Sequence, residues 1–373
     1  MATTTTSNES LSARCGSRPF LNYGGLFVTV RGLRTARVPK ATAELGLFRV
    51  ALILMAAISL STLAADPPPL NLIKTIPLPG VQGRFDHFSI DAKDNRLFVA
   101  ALGNNSLEAV NLGAGKRLKS VAGMSKPTGV LYLPGNNLVA VANGDDGTLK
   151  LLDGSSFKVI HNLSELPDAD NLRLDPNTGL AWLGYGDGAL GIIDAAAPKL
   201  TARVKLSGHP ESFQLEKQGS RVFINIPDAN QIALVDAAKH EVIGNWPMEK
   251  FQSNFPMALD ETNHRLFVGC RKPARLVVLN TGTGKAVADL AISGDTDDLF
   301  YDPKRKRLYL SSGEGFVDVI GQRDPDGYSQ LARIPTSPGA RTSFFSPELD
   351  RFYLALPTHG KQHAEIRIYE PQD

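Results

Sequence analysis

The fold is decided by the stretch Arg96-Leu97-Phe98-Val99-Ala100, an apolar run that follows a turn and ends in a small residue. Variants of this stretch recur six times further along the chain, and each copy has an apolar anchor residue at the position of Leu97. The seven anchors, spaced 41 to 44 residues apart, are Leu97, Leu138, Leu180, Val222, Leu266, Leu308 and Phe352. Such a regular period predicts a repeat protein in which each copy forms one structural unit.

Each repeat has the pattern of four short β-strands. In the first copy the strand-like segments cover residues 88–90, 96–100, 107–112 and 117–121, separated by turn-forming residues. No window of 11 or more residues after position 65 has a convincing helical stripe. Four strands in a repeat of about 42 residues are typical of a propeller blade. The sequence therefore predicts an all-β fold, a seven-bladed β-propeller with four antiparallel strands per blade.

The last copy supplies only three strands, near residues 342–345, 351–355 and 365–369, before the sequence ends at Asp373. A stretch ahead of the first full blade, residues 71–78, has the pattern of the missing fourth strand. We therefore expect an N-terminal strand to complete the last blade and close the ring, which would remove two open sheet edges.

The N-terminal segment, residues 1–65, is predicted to be a leader and signal peptide with an apolar core at about 50–60. That core is uncharged, follows Arg49 and precedes the small residues Ala64 and Ala65. Its length of about 11 residues is too short for a membrane-spanning helix, which takes about 20. We expect cleavage near Ala65, a periplasmic or secreted protein, a single propeller domain over residues 66–373, and no transmembrane span in the mature chain.

Charge and cysteine content exclude several classes of protein. The chain has 40 Lys and Arg and 38 Asp and Glu, a net charge of +2, and seven of the basic residues lie before residue 66. Such a balance is not that of a nucleic-acid binder. Only two cysteines are present, and only Cys270 follows the leader. A disulfide framework within the mature chain is therefore excluded.

The repeat resembles the YVTN-type (YncE-like) β-propeller repeat of exported bacterial proteins. The resemblance is carried by Lys126-Pro127-Thr128-Gly129-Val130 and Leu138-Val139-Ala140-Val141-Ala142-Asn143, followed by the Asp-ended strand Thr148–Asp153. It covers residues 71–370. The resemblance implies a β-propeller fold, export, and a role as a binding or interaction module, and it specifies no reaction.

Aligning the repeats on their first strands places one residue per blade around the mouth of the central channel. Four of the seven residues are carboxylates, and the next position in each blade adds further polar groups. The candidate ligand-binding residues at this mouth are Asp86, His87, Asp170, Asn171, His209, Glu211, Asp297, Asp298 and Arg341. Loops predicted on the same face supply candidate rim residues, namely Arg271, Lys272, Arg275 and His359.

Converging carboxylates raise one another's pKa values unless a cation or bound protons offset them. Three explanations are open. Each acid caps its own loop by accepting backbone N–H groups, or the acids form a shared site for a polar ligand, or they bind a divalent cation. Oxygen ligands favour Ca²⁺, and its candidate ligands are Asp86, Asp170, Glu211 and Asp297.

Two functions follow. The first is an exported binding or interaction module that presents its loop-rich face and acidic channel mouth to a protein, a glycan or a small polar ligand. The alternative is a metal-dependent hydrolase or lactonase in which a channel-bound Ca²⁺ polarises a carbonyl group. The sequence assigns no catalytic residue. A quinone-dependent dehydrogenase has little support, because Trp182 and Trp246 fall at strand positions.

Overall fold

The structure is a computed structural model and describes residues 67–373. The predicted leader and signal peptide, residues 1–65, lies outside the described residues. The described chain forms 28 β-strands and two short 3-10 turns, Leu102–Asn104 and Pro227–Ala229. None of its helices is long and apolar enough to cross a membrane.

The strands form seven sheets of four, the blades of a propeller. Strand β1 (Leu70–Pro77) is followed by blade 1, with β2 (Phe88–Asp91), β3 (Arg96–Ala101), β4 (Ser106–Asn111) and β5 (Lys116–Ala122). Blade 2 has β6 (Pro127–Leu133), β7 (Leu138–Asn143), β8 (Thr148–Asp153) and β9 (Val159–Leu163). Blade 3 has β10 (Leu172–Leu174), β11 (Ala181–Tyr185), β12 (Ala189–Asp194) and β13 (Lys199–Lys205). Blade 4 has β14 (Phe213–Leu215), β15 (Arg221–Ile226), β16 (Gln231–Asp236) and β17 (Glu241–Pro247).

The remaining three blades follow the same plan. Blade 5 has β18 (Gln252–Asp260), β19 (Arg265–Lys272), β20 (Ala274–Asn280) and β21 (Ala286–Ala291). Blade 6 has β22 (Thr296–Asp302), β23 (Arg307–Ser312), β24 (Phe316–Asp324) and β25 (Gly327–Pro335). Blade 7 has β26 (Thr342–Ser346), β27 (Arg351–Leu356) and β28 (Glu365–Pro371), together with β1. The predicted seven-bladed all-β fold is confirmed.

The ring is closed by the N-terminal strand, as the sequence predicted. Strand β1 runs antiparallel to β28, from Leu70 opposite Pro371 to Pro77 opposite Glu365, and is the outermost strand of blade 7. On the inner side, the first strand of blade 7, β26, contacts the first strand of blade 1, β2. The first strands surround the central channel, and the loops that enter them lie together at one of its ends.

Each blade buries both of its faces, which explains why the repeat contains a continuous apolar run. In β3, Leu97 and Val99 pack in a cluster with blade 7 residues such as Ile366. Phe98 lies on the opposite face and packs with Val130 of blade 2. A strand covered on both faces loses the alternation of polar and apolar residues that a half-exposed strand shows. The outermost strands, which have one free edge, are mostly exposed.

We predict that the stability of the ring depends on the inward side of β1. Ile76 is fully buried, whereas Ile73 on the same strand is 44% exposed. Truncating a buried isoleucine removes packing and leaves a cavity, so Ile76→Ala should lower the free energy of unfolding by about 3 kcal/mol in urea denaturation. The control Ile73→Ala should change it by less than about 0.5 kcal/mol. A loss of less than about 0.5 kcal/mol for Ile76→Ala as well would show that the buried side of β1 does not stabilise the ring.

Candidate binding site at the channel mouth

The mouth residues are fixed by backbone hydrogen bonds that extend the blade ladders toward the axis. In blade 1 the N–H of Asp86 donates to the carbonyl of Ala100 (2.8 Å), and the N–H of Ala100 donates to the carbonyl of His87 (3.0 Å). The same pair of bonds recurs in blade 3 at Gly184 and in blade 4 at Asn225. The polar side chains therefore stand on rigid extensions of the first strands and not on free loops.

At the mouth, blade 2 has Thr128 and Gly129 in the positions where other blades have charged side chains. The hydroxyl of Thr128 donates to the carbonyl of Ala169 (2.6 Å), which ties blade 2 to the residue before Asp170. At the next position, a Cβ on Gly129 would lie 2.0 Å from the carbonyl oxygen of Asp170. Only glycine lets the two backbones approach this closely, so this residue helps to set the position of Asp170.

These side chains surround a cavity of about 240 Å³, which we call the mouth cavity. Eight of the nine predicted mouth residues line it, namely Asp86, His87, Asp170, Asn171, His209, Glu211, Asp297 and Arg341. The ninth, Asp298, lies deeper in the channel and lines a second cavity instead. Of the predicted rim residues, Arg271 lines the mouth cavity, and Lys272, Arg275 and His359 do not.

The rim residues have different surroundings. Arg271 donates to the carbonyl of Thr296 (2.9 Å) and to the carboxylate of Asp297, so it belongs to the mouth itself. Arg275 donates to Asp289 in the outermost strand of its blade. His359 forms an isolated backbone bridge with Gln362, and Lys272 is exposed at the end of β19.

On one side of the mouth cavity, arginines neutralise the carboxylate of Asp297. Arg341 Nε lies 3.2 Å from Asp297 Oδ2, and Arg341 also pairs with Asp295 at 2.7 Å. The guanidinium of Arg271 lies 3.6 Å from the centre of the Phe255 ring. Burial still raises the pKa of Asp297, although both arginines oppose the shift.

Asp86 is less fully compensated. Its carboxylate accepts a hydrogen bond from Arg84 (2.9 Å) and lies 3.8 Å from His87 Nε2. The residue is only 7% exposed. Burial is the main cause that raises the pKa of Asp86 to about 7, and the charges of Asp170 and Asp297 add to the shift.

Asp170, His209 and Glu211 form the opposite side of the cavity. His209 Nε2 lies 3.7 Å from Asp170 Oδ2, and His209 Nδ1 lies 2.8 Å from the carbonyl oxygen of Gly186. Burial opposes protonation of His209, but these acceptors outweigh it and raise its pKa to about 9. The pKa of Asp170 is lowered, because the neighbouring histidines outweigh its burial.

Glu211 is the carboxylate without a partner. Among residues 67–373 its side chain has no hydrogen bond, and no Lys, Arg or His nitrogen lies within 4.0 Å of it. Burial and the charge of Asp170 raise the pKa of Glu211 to about 8. A carboxylate in this state gains from any cation or hydrogen-bond donor that enters the cavity.

The explanation in which each acid caps its own loop fails for the four ring carboxylates. Within the described residues, no backbone N–H donates to the side chain of Asp86, Asp170, Glu211 or Asp297. Asp298 is different, because it accepts a hydrogen bond from the backbone N–H of Ser343 (2.7 Å). The ring acids therefore face the cavity and each other.

The floor of the mouth cavity consists of His87 and Asn171. His87 Nδ1 lies 3.8 Å from Asp298 Oδ1. Burial lowers the pKa of His87. The charges of Asp298, Asp86 and Asp170 outweigh burial, and the pKa rises to about 9. Asn171 Nδ2 lies 2.8 Å from His87 Nε2, while Asn171 Oδ1 accepts a hydrogen bond from Arg173. An NH₂ group that faces Nε2 favours the unprotonated form of this nitrogen. It therefore opposes the carboxylates, which raise the pKa of His87.

Two sets of side chains have the proximity that a metal ion requires. Each set offers three ligand atoms within 4.8 Å of one another, and Asp170 belongs to both. The sets are Asp86, His87 and Asp170, and Asp170, His209 and Glu211. Both contain a histidine whose pKa is raised, and a protonated imidazole does not bind a metal. Metal binding here would have to displace protons.

Three residues of the site could not be found by aligning the first strands. Arg84 lies two residues before Asp86, and residues two apart in an extended chain point to the same side. Asp168 and Lys126 lie in the loops around the cavity, where Lys126 Nζ is 3.8 Å from Asp168 Oδ1. The alternation of side chains could have indicated Arg84, whereas no sequence signal indicates which loop charges turn inward.

Comparison with known proteins supports the fold. No protein-family model matches the chain, and no curated protein matches it. A chain in the crystal structure of the mitotic checkpoint complex superposes with a TM-score of 0.70 at 14% identity, covering 93% of this chain and 100% of that one. A chain of Kuenenia stuttgartiensis hydrazine synthase superposes with a TM-score of 0.64 at 16% identity, covering 74% of this chain and 95% of that one. At such identities the likeness shows the propeller fold alone, so membership of the YVTN-type family stays a prediction.

We predict that the protein loses stability as the pH rises from about 5 to about 9. The pKa values of Asp86 and Glu211 rise to about 7 and 8, and those of His87 and His209 rise to about 9. The folded chain thus holds more protons than the unfolded chain in this range. For each extra proton that the folded chain holds, the free energy of unfolding falls by up to about 1.4 kcal/mol when the pH rises by one unit.

Urea denaturation at several pH values tests this prediction. Glu211→Gln should flatten the pH dependence and stabilise the fold near pH 9, because the amide removes a buried charge. The control Glu241→Gln changes an exposed residue on the outermost strand β17 and should leave the slope unchanged. A wild-type stability that rises with pH over this range would contradict the electrostatics described above.

Proposed function

We propose that this protein is an exported β-propeller that acts as a binding module, and that the mouth cavity binds a small polar ligand with a positive charge. The β-propeller fold is compatible with an interaction module, and the similar propeller in the mitotic checkpoint complex belongs to an assembly of proteins by its title. The observation that carries the proposal is the unpartnered carboxylate of Glu211, next to Asp170.

The size and charge of the cavity favour this class of ligand. A volume of about 240 Å³ lies below the range of typical drug-sized pockets, about 300–1,000 Å³. Arginines already pair with Asp86 and Asp297, so the carboxyl groups without an arginine are those of Asp170 and Glu211. An ammonium group there would donate hydrogen bonds to both carboxylates and remove their mutual repulsion. It would also displace the proton that Glu211 holds as a result of its raised pKa.

Isothermal titration calorimetry of the full chain with putrescine tests the proposal, with 1,4-butanediol as the uncharged probe of the same length. We expect putrescine to bind and butanediol to bind at least about tenfold more weakly, a difference of about 1.4 kcal/mol. Glu211→Gln should weaken putrescine binding by a similar factor, and Glu241→Gln should leave it unchanged. If putrescine does not bind, or if butanediol binds equally well, the proposal that the mouth cavity binds a positively charged ligand is wrong.

A metal-dependent hydrolase or lactonase is the second candidate, and the two overlapping sets of ligand atoms around Asp170 favour it. The raised pKa values of His87 and His209 count against it near neutral pH, because a protonated imidazole has no lone pair with which to bind a metal ion. The melting temperature of EDTA-treated protein, with and without added Ca²⁺, separates the two candidates. We expect no measurable rise. A rise that Asp170→Asn abolishes would favour the metal-dependent function instead.

A further inference from the structure

The central channel contains a second cavity, below the mouth. It has a volume of about 790 Å³ and extends along the first strands of all seven blades toward the opposite face. We call it the lower chamber. His87 and Ser212 line both cavities, so the two share a wall at that level. The function proposed for the mouth does not use this chamber.

The lower chamber has an apolar part in its wall, beside polar residues such as Ser343. Leu131, Phe300 and Phe344 line it from blades 2, 6 and 7 and are only partly buried. The rings of Phe300 and Phe344 meet edge to face, with centroids 5.6 Å apart. Apolar side chains that line a cavity favour an apolar occupant over water. Aromatic edges and faces at this spacing favour a planar ring.

Arg173 is the basic residue that a first strand, β10, presents to this space. The other basic residues of the lining lie outside the first strands, namely His87 at the level of the mouth and the exposed Lys93 and Lys217. Arg173 Nη1 donates to the side-chain oxygen of Asn171 and to the carbonyl of Leu172 (2.8 Å). The guanidinium carbon lies 5.8 Å from the ring centre of Phe213. Within the described residues no carboxylate oxygen lies within 4.0 Å of Arg173, and its Nε and Nη2 groups have no hydrogen-bond acceptor. A partly desolvated guanidinium with free N–H groups is suited to bind a carboxylate through two hydrogen bonds.

We propose that the lower chamber binds a small aromatic carboxylate, with its carboxylate on Arg173 and its ring against Leu131, Phe300 and Phe344. The guanidinium of Arg173 matches one negative charge, and Leu174 of the same strand also lines the chamber. The carboxylate of Asp298, which lines the chamber as well, already accepts a hydrogen bond from the backbone N–H of Ser343 (2.7 Å). Gln214 also lines the chamber, but its amide already donates to the carbonyl of Met257 (2.9 Å). We therefore expect the anion to bind Arg173, the one Lys or Arg among the first-strand residues that line the chamber.

Isothermal titration calorimetry of the full chain with 2-naphthoate, and with 2-naphthamide as its neutral analogue, tests this site. We expect naphthoate to bind at least about tenfold more tightly than naphthamide. Arg173→Gln should remove this preference and leave naphthamide binding within about twofold. The control Arg323→Gln removes a guanidinium from an exposed surface position and should change neither affinity.

A second variant locates the ligand. Leu131→Trp should occupy the space proposed for the ring and weaken the binding of both probes while Arg173 remains. If that variant does not fold, difference density from a crystal soaked in naphthoate replaces it, and density outside the chamber overturns the proposal. Three further outcomes also overturn it: no naphthoate binding, a preference that survives Arg173→Gln, or octanoate binding as tightly as naphthoate. Because the mouth is probed by a diamine and the chamber by an acid, failure of one site does not decide the other.

Discussion

No blade of this propeller can bury its own apolar surface, and the rest of the structure depends on that constraint. In the middle strands, adjacent residues such as Leu97 and Phe98 pack against different neighbouring blades. An isolated blade would expose both faces to water, so each sheet is stable only between two others. The pairing of β1 with β28 extends this condition to the whole ring. It joins the two ends of the propeller by a strand ladder and leaves no blade with a missing neighbour.

The same geometry creates the electrostatic problem at the mouth. Residues about 42 positions apart in sequence converge because every first strand runs along the axis, and ladder hydrogen bonds hold Asp86, Asp170 and Glu211 in place. These carboxylates cannot separate to reduce their repulsion. Arginines compensate some of them. Burial, with the neighbouring carboxylates adding to it, raises the pKa values of Asp86 and Glu211, so protons compensate the rest. Carboxyl groups that are neutralised only by protons can exchange those protons for a cationic ligand.

The sequence predicted the fold because its period and its apolar runs both reflect the packing of blade on blade. It also placed Asp86, Asp170, Glu211 and Asp297 at one mouth, since the alignment of first strands matches the ladder that the backbone forms. The details of the side chains were beyond it. Arg271 was expected at the rim, but its length lets it reach Asp297, while Arg275 turns outward to Asp289. Asp298 was grouped with the mouth but lines the lower chamber, where it accepts a hydrogen bond from the backbone N–H of Ser343 in the next blade.

The side-chain amide of Asn171 connects the two levels of the channel. Its oxygen is held by Arg173 and its NH₂ group faces His87. Because an amide has only one oxygen, it cannot accept from the guanidinium and from a protonated imidazole at the same orientation. A molecule that draws Arg173 away from Asn171 would free this amide to rotate and would make the proton on His87 easier to hold. By thermodynamic reciprocity, protonation of His87 at the mouth would weaken the hydrogen bond between Asn171 and Arg173. Rotation of the Asn171 side-chain amide would thus couple ligand binding in the lower chamber to protonation at the mouth.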